Sequence, residues 1–330
     1  MKASALIILT FFSVLAMNVI GQKSGYPKNN PIELGKVSWL RNYNEAIAAA
    51  KQKELPVLIL FQEVPGCSNC TKFGNEILSH PLVVEAIETC FIPLCIYNNQ
   101  SGHDSEILKK YNEPSWNNPV IRIVDHKGLD LVSRQPDFRS MSKTLASLAK
   151  GITASGHEVP TYLDLMLEEA DARENGNLTD VYFSMYCFWS GEKEIGGLDG
   201  VLSTEAGYMH GQEVVRVSYR PDRVKLADLY QKAGKKGCAD DVYGSVRAGE
   251  NIVVKPAGPY RKDKEDKYYI YGSAYKNIPM TELQKMKVNR ALGTGRNPDI
   301  YLSPRQLGWL NSANTQSHLS DKIETVWWKS

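Results

Sequence analysis

Apolar and polar positions follow two rhythms along this chain. Val57-Leu58-Ile59-Leu60-Phe61 is an unbroken apolar run, the pattern of a strand covered on both faces. Tyr43 to Lys53, just before it, has the spacing of an amphipathic helix. Val64-Pro65-Gly66-Cys67 follows the strand, and a second apolar strand, Val120-Ile121-Arg122-Ile123-Val124, ends in the turn signal Asp125-His126-Lys127-Gly128. Helices between continuously apolar strands predict an α/β unit, with a sheet covered on both faces, from about Trp39 to Lys150. The charged stretch within Gly151 to Leu178, around Glu168-Glu169-Ala170-Asp171-Ala172-Arg173-Glu174, predicts a connecting helix and a boundary. Val181-Tyr182-Phe183-Ser184-Met185-Tyr186-Cys187 then opens a second unit, in which the β-branched run Val214 to Tyr219 predicts a strand. The chain shows no repeat of 20–50 residues, which argues against a solenoid.

Length agrees with this division, because 330 residues are expected to form about two domains of roughly 100–200 residues each. The boundaries expected are 34–155 and 179–330, joined by a linker helix at 156–178. Ahead of them, Lys2 precedes the apolar run Ala5-Leu6-Ile7-Ile8-Leu9-Thr10-Phe11-Phe12, and small residues follow near Gly21. Residues 1–22 therefore read as a secretory signal peptide, too short for a membrane span, and place the mature protein in the periplasm or outside the cell. With 39 basic against 37 acidic residues, the charge balance offers nucleic acid no electrostatic footprint. The six histidines form no metal-ligand spacing, so no metal is expected. The runs Arg261 to Lys267 and Lys232 to Lys236 read as solvated, mixed-charge surface, and Val326-Trp327-Trp328-Lys329 as a packed tail.

Six cysteines, at 67, 70, 90, 95, 187 and 238, are too few for a disulfide scaffold. Cys67-Ser68-Asn69-Cys70 has a motif spacing, and it follows a buried strand directly at the start of a helix. Helix-start amides favour thiolate over thiol at the first cysteine, and the spacing allows a disulfide, so the pair is poised for exchange. A zinc site would need a second such pair, and Cys90 and Cys95 have the wrong spacing. Those two read as buried small hydrophobes, with a second disulfide between them as the alternative. Cys187 stands beside Phe188 and Trp189.

The first half resembles the thioredoxin-like family from about Val37 to Lys150, through the strand, the Cys67/Cys70 pair, Lys72-Phe73, and Pro119 ahead of Val120 to Val124. The resemblance implies a thioredoxin-like fold with Cys67 as nucleophile, Cys70 as resolving thiol, and Pro119 as the cis-proline facing them. The family's usual Trp-Cys-Gly-Pro-Cys is replaced by Pro65-Gly66-Cys67-Ser68-Asn69-Cys70, so redox potential and partner choice do not carry over.

The second half resembles peptide methionine sulfoxide reductases that act on the S epimer, an α+β family. Their Gly-Cys-Phe-Trp signature appears as Tyr186-Cys187-Phe188-Trp189, followed in the family's order by Gly207-Tyr208, by Glu213 before Val214-Val215-Arg216-Val217, and by Asp266, Tyr271 and Ser273. The resemblance implies reduction of methionine sulfoxide in peptides or proteins, with no bound cofactor and a thioredoxin-type thiol donor. That chemistry needs a thiolate to attack sulfur and an acid on the oxygen side, roles that fall to Cys187 and Glu213. Burial among aromatics is expected to keep Glu213 protonated. Phe188 and Trp189 would wall the methyl group, Tyr208 and Tyr271 would donate to the oxygen, and Asp266 would bind substrate or water. Cys187 would be left as a sulfenic acid, resolved by Cys238 in its Gly-flanked loop or directly by Cys67 and Cys70. The expected partners are oxidised proteins or peptides and a membrane or periplasmic thiol reductant, with no nucleic acid. Two departures stand out: four residues separate Tyr208 from Glu213, where the family has a substrate-covering loop, and Tyr186 replaces a glycine. Both would narrow the pocket. The alternative is a thiol-disulfide oxidoreductase whose second domain binds clients without catalysis.

Overall fold

The computed structural model describes residues 29–313 apart from 67, 137–138, 177, 246–251 and 266. The leader, Cys67, Asp266 and the tail at 326–329 lie outside the described residues.

In the N-terminal part, a 3-10 turn (Ile32–Leu34) is followed by α1 (Tyr43–Lys53), β1 (Val57–Gln62), α2 (Ser68–Lys72) with a π-helical continuation (Phe73–Ile77), and α3 (Pro81–Cys90). Next come β2 (Ile92–Tyr97), α4 (His103–Lys110), β3 (Val120–Val124) and α5 (Met141–Ala154). The sheet order is β2-β1-β3, with β2 parallel and β3 antiparallel to the central strand. Every residue of β1 is buried, as its apolar run requires. Side chains alternate faces along a strand, so Leu58 and Leu60 enter one core with α3 and α5, while Val57, Ile59 and Phe61 enter another with α1 and α4. The expected two-sided covering of the sheet is observed. The segment missing from the pattern reading is β2, whose apolar run is interrupted by Pro93.

α6 (Thr161–Glu174) covers the stretch expected to be a connector, yet it is no solvated tether. Leu163 and Met166 sit in the first core and Leu165 and Ala172 in the second, so the helix is shared. Its last residue, Glu174, accepts the Met141 amide at 2.6 Å and so caps the start of α5.

The second unit continues with β4 (Thr179–Ser184), α7 (Phe188–Ile195), β5 (Val201–Met209), β6 (Gln212–Tyr219), α8 (Leu226–Gly234), β7 (Asp241–Tyr243), β8 (Val254–Lys255) and β9 (Arg261–Lys262). α9 (Tyr268–Tyr271), α10 (Glu282–Gly293) and α11 (Pro304–Ala313) close it. Its sheet runs β8-β7-β4-β6-β5-β9, antiparallel except for β7 with β8. Val181 and Phe183 of β4 and Val215 and Val217 of β6 face a core closed by residues of α7, α8 and α10. This is the α+β arrangement expected of the second half. α11 returns to the first unit: the Arg305 amide donates to the buried Glu85 carboxylate of α3 at 2.6 Å, and Trp309 packs on the first core. Among the described residues, no helix is long and apolar enough to cross a membrane.

Candidate active site

Cys70 is buried on α2, one turn past the end of the loop that follows β1. Its Sγ donates to Asn118 Oδ1 at 2.9 Å, and the Asn118–Pro119 peptide is cis. The chain preceding β3 therefore faces the cysteine motif, as the resemblance implied. Glu33, absent from the sequence reading, completes this surrounding. It is buried, and its Oε1 accepts the Gly66 amide at 2.8 Å, one residue before Cys67. The 3-10 turn carrying Glu33 reaches this position because Gly74 lets the backbones touch: a Cβ there would fall 2.0 Å from the Ile32 carbonyl oxygen. Cys95 lies fully buried in β2 and Cys90 is half-buried at the end of α3. Both thiols are free, and burial pushes each above the usual thiol range, which suits packing and disfavours reactivity.

Cys187 is the N-cap residue of α7, just beyond the end of β4, and is half-buried. Because β4 and β6 are antiparallel, the end of β4 meets the start of β6, and Glu213 lies there. The Glu213 carbonyl accepts the Met185 amide at 3.1 Å, and its Oε2 accepts the Phe188 amide at 2.8 Å. Tyr208 stands directly opposite Glu213 in the β5–β6 register, and its ring meets Phe188 edge-on at 5.3 Å. The tertiary structure thus gathers Cys187, Phe188, Tyr208 and Glu213 at one end of the sheet. Arg261 of β9 lies over the Tyr208 ring at 4.4 Å.

The short segment between Tyr208 and Glu213 is a tight hairpin. Met209 pairs with Gln212, leaving His210 and Gly211 as a two-residue turn, both at positive φ (51° and 77°). Such turns match the twist of paired strands and need residues that tolerate the left-handed region, which Gly211 supplies. Tyr186 is 95% exposed, so its ring stands in solvent instead of narrowing the site.

Trp189 stacks on Tyr268 at 4.2 Å with 19° between the rings, while Tyr271 is mostly exposed. Tyr268 was not singled out in the sequence; only its place in an aromatic cluster hinted at it. Lys267 corrects the expectation of a solvated charge run from 261 to 267. It is buried, and its Nζ donates to Glu192 at 2.5 Å. Arg261 and Lys262, on the edge strand β9, are exposed as expected.

Cys238 follows α8, and its Gly-flanked loop setting does not expose it. The thiol is buried in the second core, with its amide bonded to the Ala233 carbonyl. Burial pushes it up and the charge of Glu194 pushes it further, while its Sγ donates to the Lys236 carbonyl at 3.4 Å. Among the described residues, no cluster of histidine, cysteine and acidic side chains is arranged to hold a metal.

Residues 38–126 match the thioredoxin-like family. The match runs over the first sheet, from before α1 to the turn after β3. Two peptide methionine sulfoxide reductases MsrA, from Methanococcus maripaludis strains C5 and C7, are each 36% identical to the chain over 70 and 72 residues. These matches cover 16% and 17% of this chain, and the chain spans less than half the length of these curated relatives, 45% and 46%. Among solved structures, the oxidoreductase DsbH is 17% identical, covering 40% of this chain and 95% of that one at a TM-score of 0.31. A thioredoxin from Thermus thermophilus is 22% identical, covering 36% and 90%, at a TM-score of 0.32.

Proposed function

We propose that this chain is an exported thiol oxidoreductase that reduces methionine S-sulfoxide in peptides and proteins, with electrons drawn from its own thioredoxin-like domain. The observation carrying this reading is the Glu213 carboxylate on the amide next to Cys187, with Tyr208 opposite it. On this reading, Glu213 and the Tyr208 phenol serve the oxygen of a sulfoxide whose sulfur approaches Cys187. The partial likeness to the MsrA proteins and the thioredoxin-like match support the pairing of the two chemistries. The apolar run after Lys2 is the ground for export.

The electrons balance over three steps. Cys187 thiolate attacks the sulfoxide sulfur, the oxygen takes a proton from Glu213, and transfer of that oxygen to the cysteine sulfur releases methionine and leaves Cys187 as a sulfenic acid. Cys238 thiol attacks that sulfenic acid, forming a Cys187–Cys238 disulfide and releasing water. Cys67 thiolate then opens the disulfide, and Cys70 displaces it to leave the pair oxidised. An external thiol reductant restores Cys67 and Cys70. Residues of this chain supply every group, with no cofactor in the scheme.

The test is dithiothreitol-driven reduction of a methionine S-sulfoxide peptide by the full chain and by Cys187→Ser. Turnover by wild type, lost in Cys187→Ser, is expected. A wild type without turnover, but active on protein disulfides through Cys67, would instead support the thiol-disulfide oxidoreductase with a client-binding second domain. The relay has its own readout: pre-reduced wild type, given no reductant, should form an additional equivalent of methionine relative to Cys67→Ser.

A further inference from the structure

Lys267, bound to Glu192 of α7, is buried at 3% exposure, and the reaction scheme leaves it unused. Its Nζ donates to Glu192 Oε1 at 2.5 Å, to the Thr204 carbonyl, and to Thr204 Oγ1 at 3.5 Å. Glu192 is itself buried and lies on α7, three residues after Trp189 and four after Phe188, which places it one turn along from both. Thr204 lies on β5, four residues before Tyr208, and residues at that spacing share a face of the strand. Lys267 also immediately precedes α9, whose first residue is the Tyr268 that stacks on Trp189.

We propose that Lys267 is a positioning residue: one buried ammonium binds α7, β5 and α9 together and so fixes the aromatic wall of Trp189 and Tyr268 beside Cys187. The inference rests on the reading of Cys187 as the sulfoxide-reducing thiol, and it adds a residue that touches neither substrate nor sulfur. The physical reason lies in burial. A cation and a carboxylate removed from water hold each other in place, and removing either leaves an uncompensated charge that must draw in solvent or displace its elements. Displacement here moves α9 against α7, and the stacked pair of rings is the contact between them that reports it. A misplacement of about 1 Å at a reacting centre costs on the order of 10²-fold in rate.

The experiment uses the full chain and the variants Lys267→Met, Lys267→Arg, Tyr268→Ala and the Lys267→Met/Tyr268→Ala pair. Turnover of a methionine S-sulfoxide peptide is measured, and Trp189 emission is isolated by subtracting the spectrum of each chain carrying Trp189→Phe. Lys267→Met is expected to lower kcat/KM on the order of 10²-fold and to shift Trp189 emission to the red. Lys267→Arg should recover most of both, and the double variant should be no worse than Lys267→Met, because the two changes act through one contact. Unchanged Trp189 emission in Lys267→Met, or fully additive effects in the pair, overturns the proposal. Without turnover in wild type the proposed reaction fails, and the emission shift alone then decides the positioning role. If Lys267→Met does not fold, Glu192→Gln takes its place: it keeps side-chain size but removes the partner charge, and unchanged emission there overturns the proposal equally.

Discussion

Glu213 holds Phe188 by its side chain, accepting the amide proton at 2.8 Å, and reaches back to Met185 through its carbonyl at 3.1 Å. The two bonds bracket Cys187, so the loop carrying the thiol is fastened to the start of β6 on both sides. One residue therefore sets the backbone of the Cys187 loop and brings a carboxyl to its side.

These two duties separate by substitution. Glu213→Gln retains an oxygen that accepts the Phe188 amide but cannot deliver a proton, so kcat should fall by about 10²–10⁴-fold with the melting temperature little changed. Glu213→Ala removes the acceptor too and should also destabilise the chain by about 1 kcal/mol. Steady-state kinetics with thermal unfolding of both variants checks this, and equal turnover for wild type and Glu213→Gln would exclude proton delivery by the carboxyl.

In the proposed scheme, burial of Cys238 makes its attack on a Cys187 sulfenic acid dependent on base. With its thiol held above the ordinary range, the attacking thiolate fraction grows about tenfold per pH unit across neutral and mildly alkaline pH. Disulfide formation after a single turnover, followed by mass spectrometry from pH 6 to 9, should accelerate accordingly. Cys238→Ser should leave a sulfenic acid that dimedone traps. A pH-independent rate, or no trapped adduct, would exclude Cys238 as resolver.

The contact between α3 and α11 carries its own pH signature. Burial raises the Glu85 carboxyl above its usual range, despite bonds from Ser303 and the Arg305 amide. A folded-state value above the unfolded one gives stability that is fully present below the unfolded pKa and is lost as pH rises through the raised one. Glu85→Gln keeps the acceptor for Arg305 and removes the charge, so it should match wild type near pH 4 and melt at a higher temperature at pH 7. Glu85→Ala strands the Arg305 amide and should cost about 1–3 kcal/mol throughout. Melting curves from pH 4 to 8 distinguish these outcomes; a lower melting temperature for Glu85→Gln at pH 7 would contradict the assigned direction.

Much of the architecture was legible in local patterning. β1 reads as a two-sided strand because Val57 to Phe61 are all apolar, and Cys187, Tyr208 and Glu213 stand out because each belongs to a short motif in a recognisable order. What escaped were properties that depend on distant partners. Lys267 sits in a charged run, and its partners Glu192 and Thr204, 75 and 63 residues away, hold it as a buried cation. Glu33 reaches the Cys67/Cys70 loop from 33 residues upstream of Gly66, across a close backbone contact at Gly74.

α6 and Cys238 show the same division. The polar half of α6 looks like a tether, yet its few apolar residues split between two cores, a fact no single stretch of sequence contains. Cys238 is flanked by loop-forming residues, and its burial follows from how α8 packs on the second sheet. Local composition settles which segments become strand or helix and which reactive side chains the chain owns, because backbone preference and apolar period act over a few residues. Desolvation and charge pairing act between segments far apart in the chain, so only folding decided that Lys267 and Cys238 are buried and that Glu213 grips the Cys187 loop.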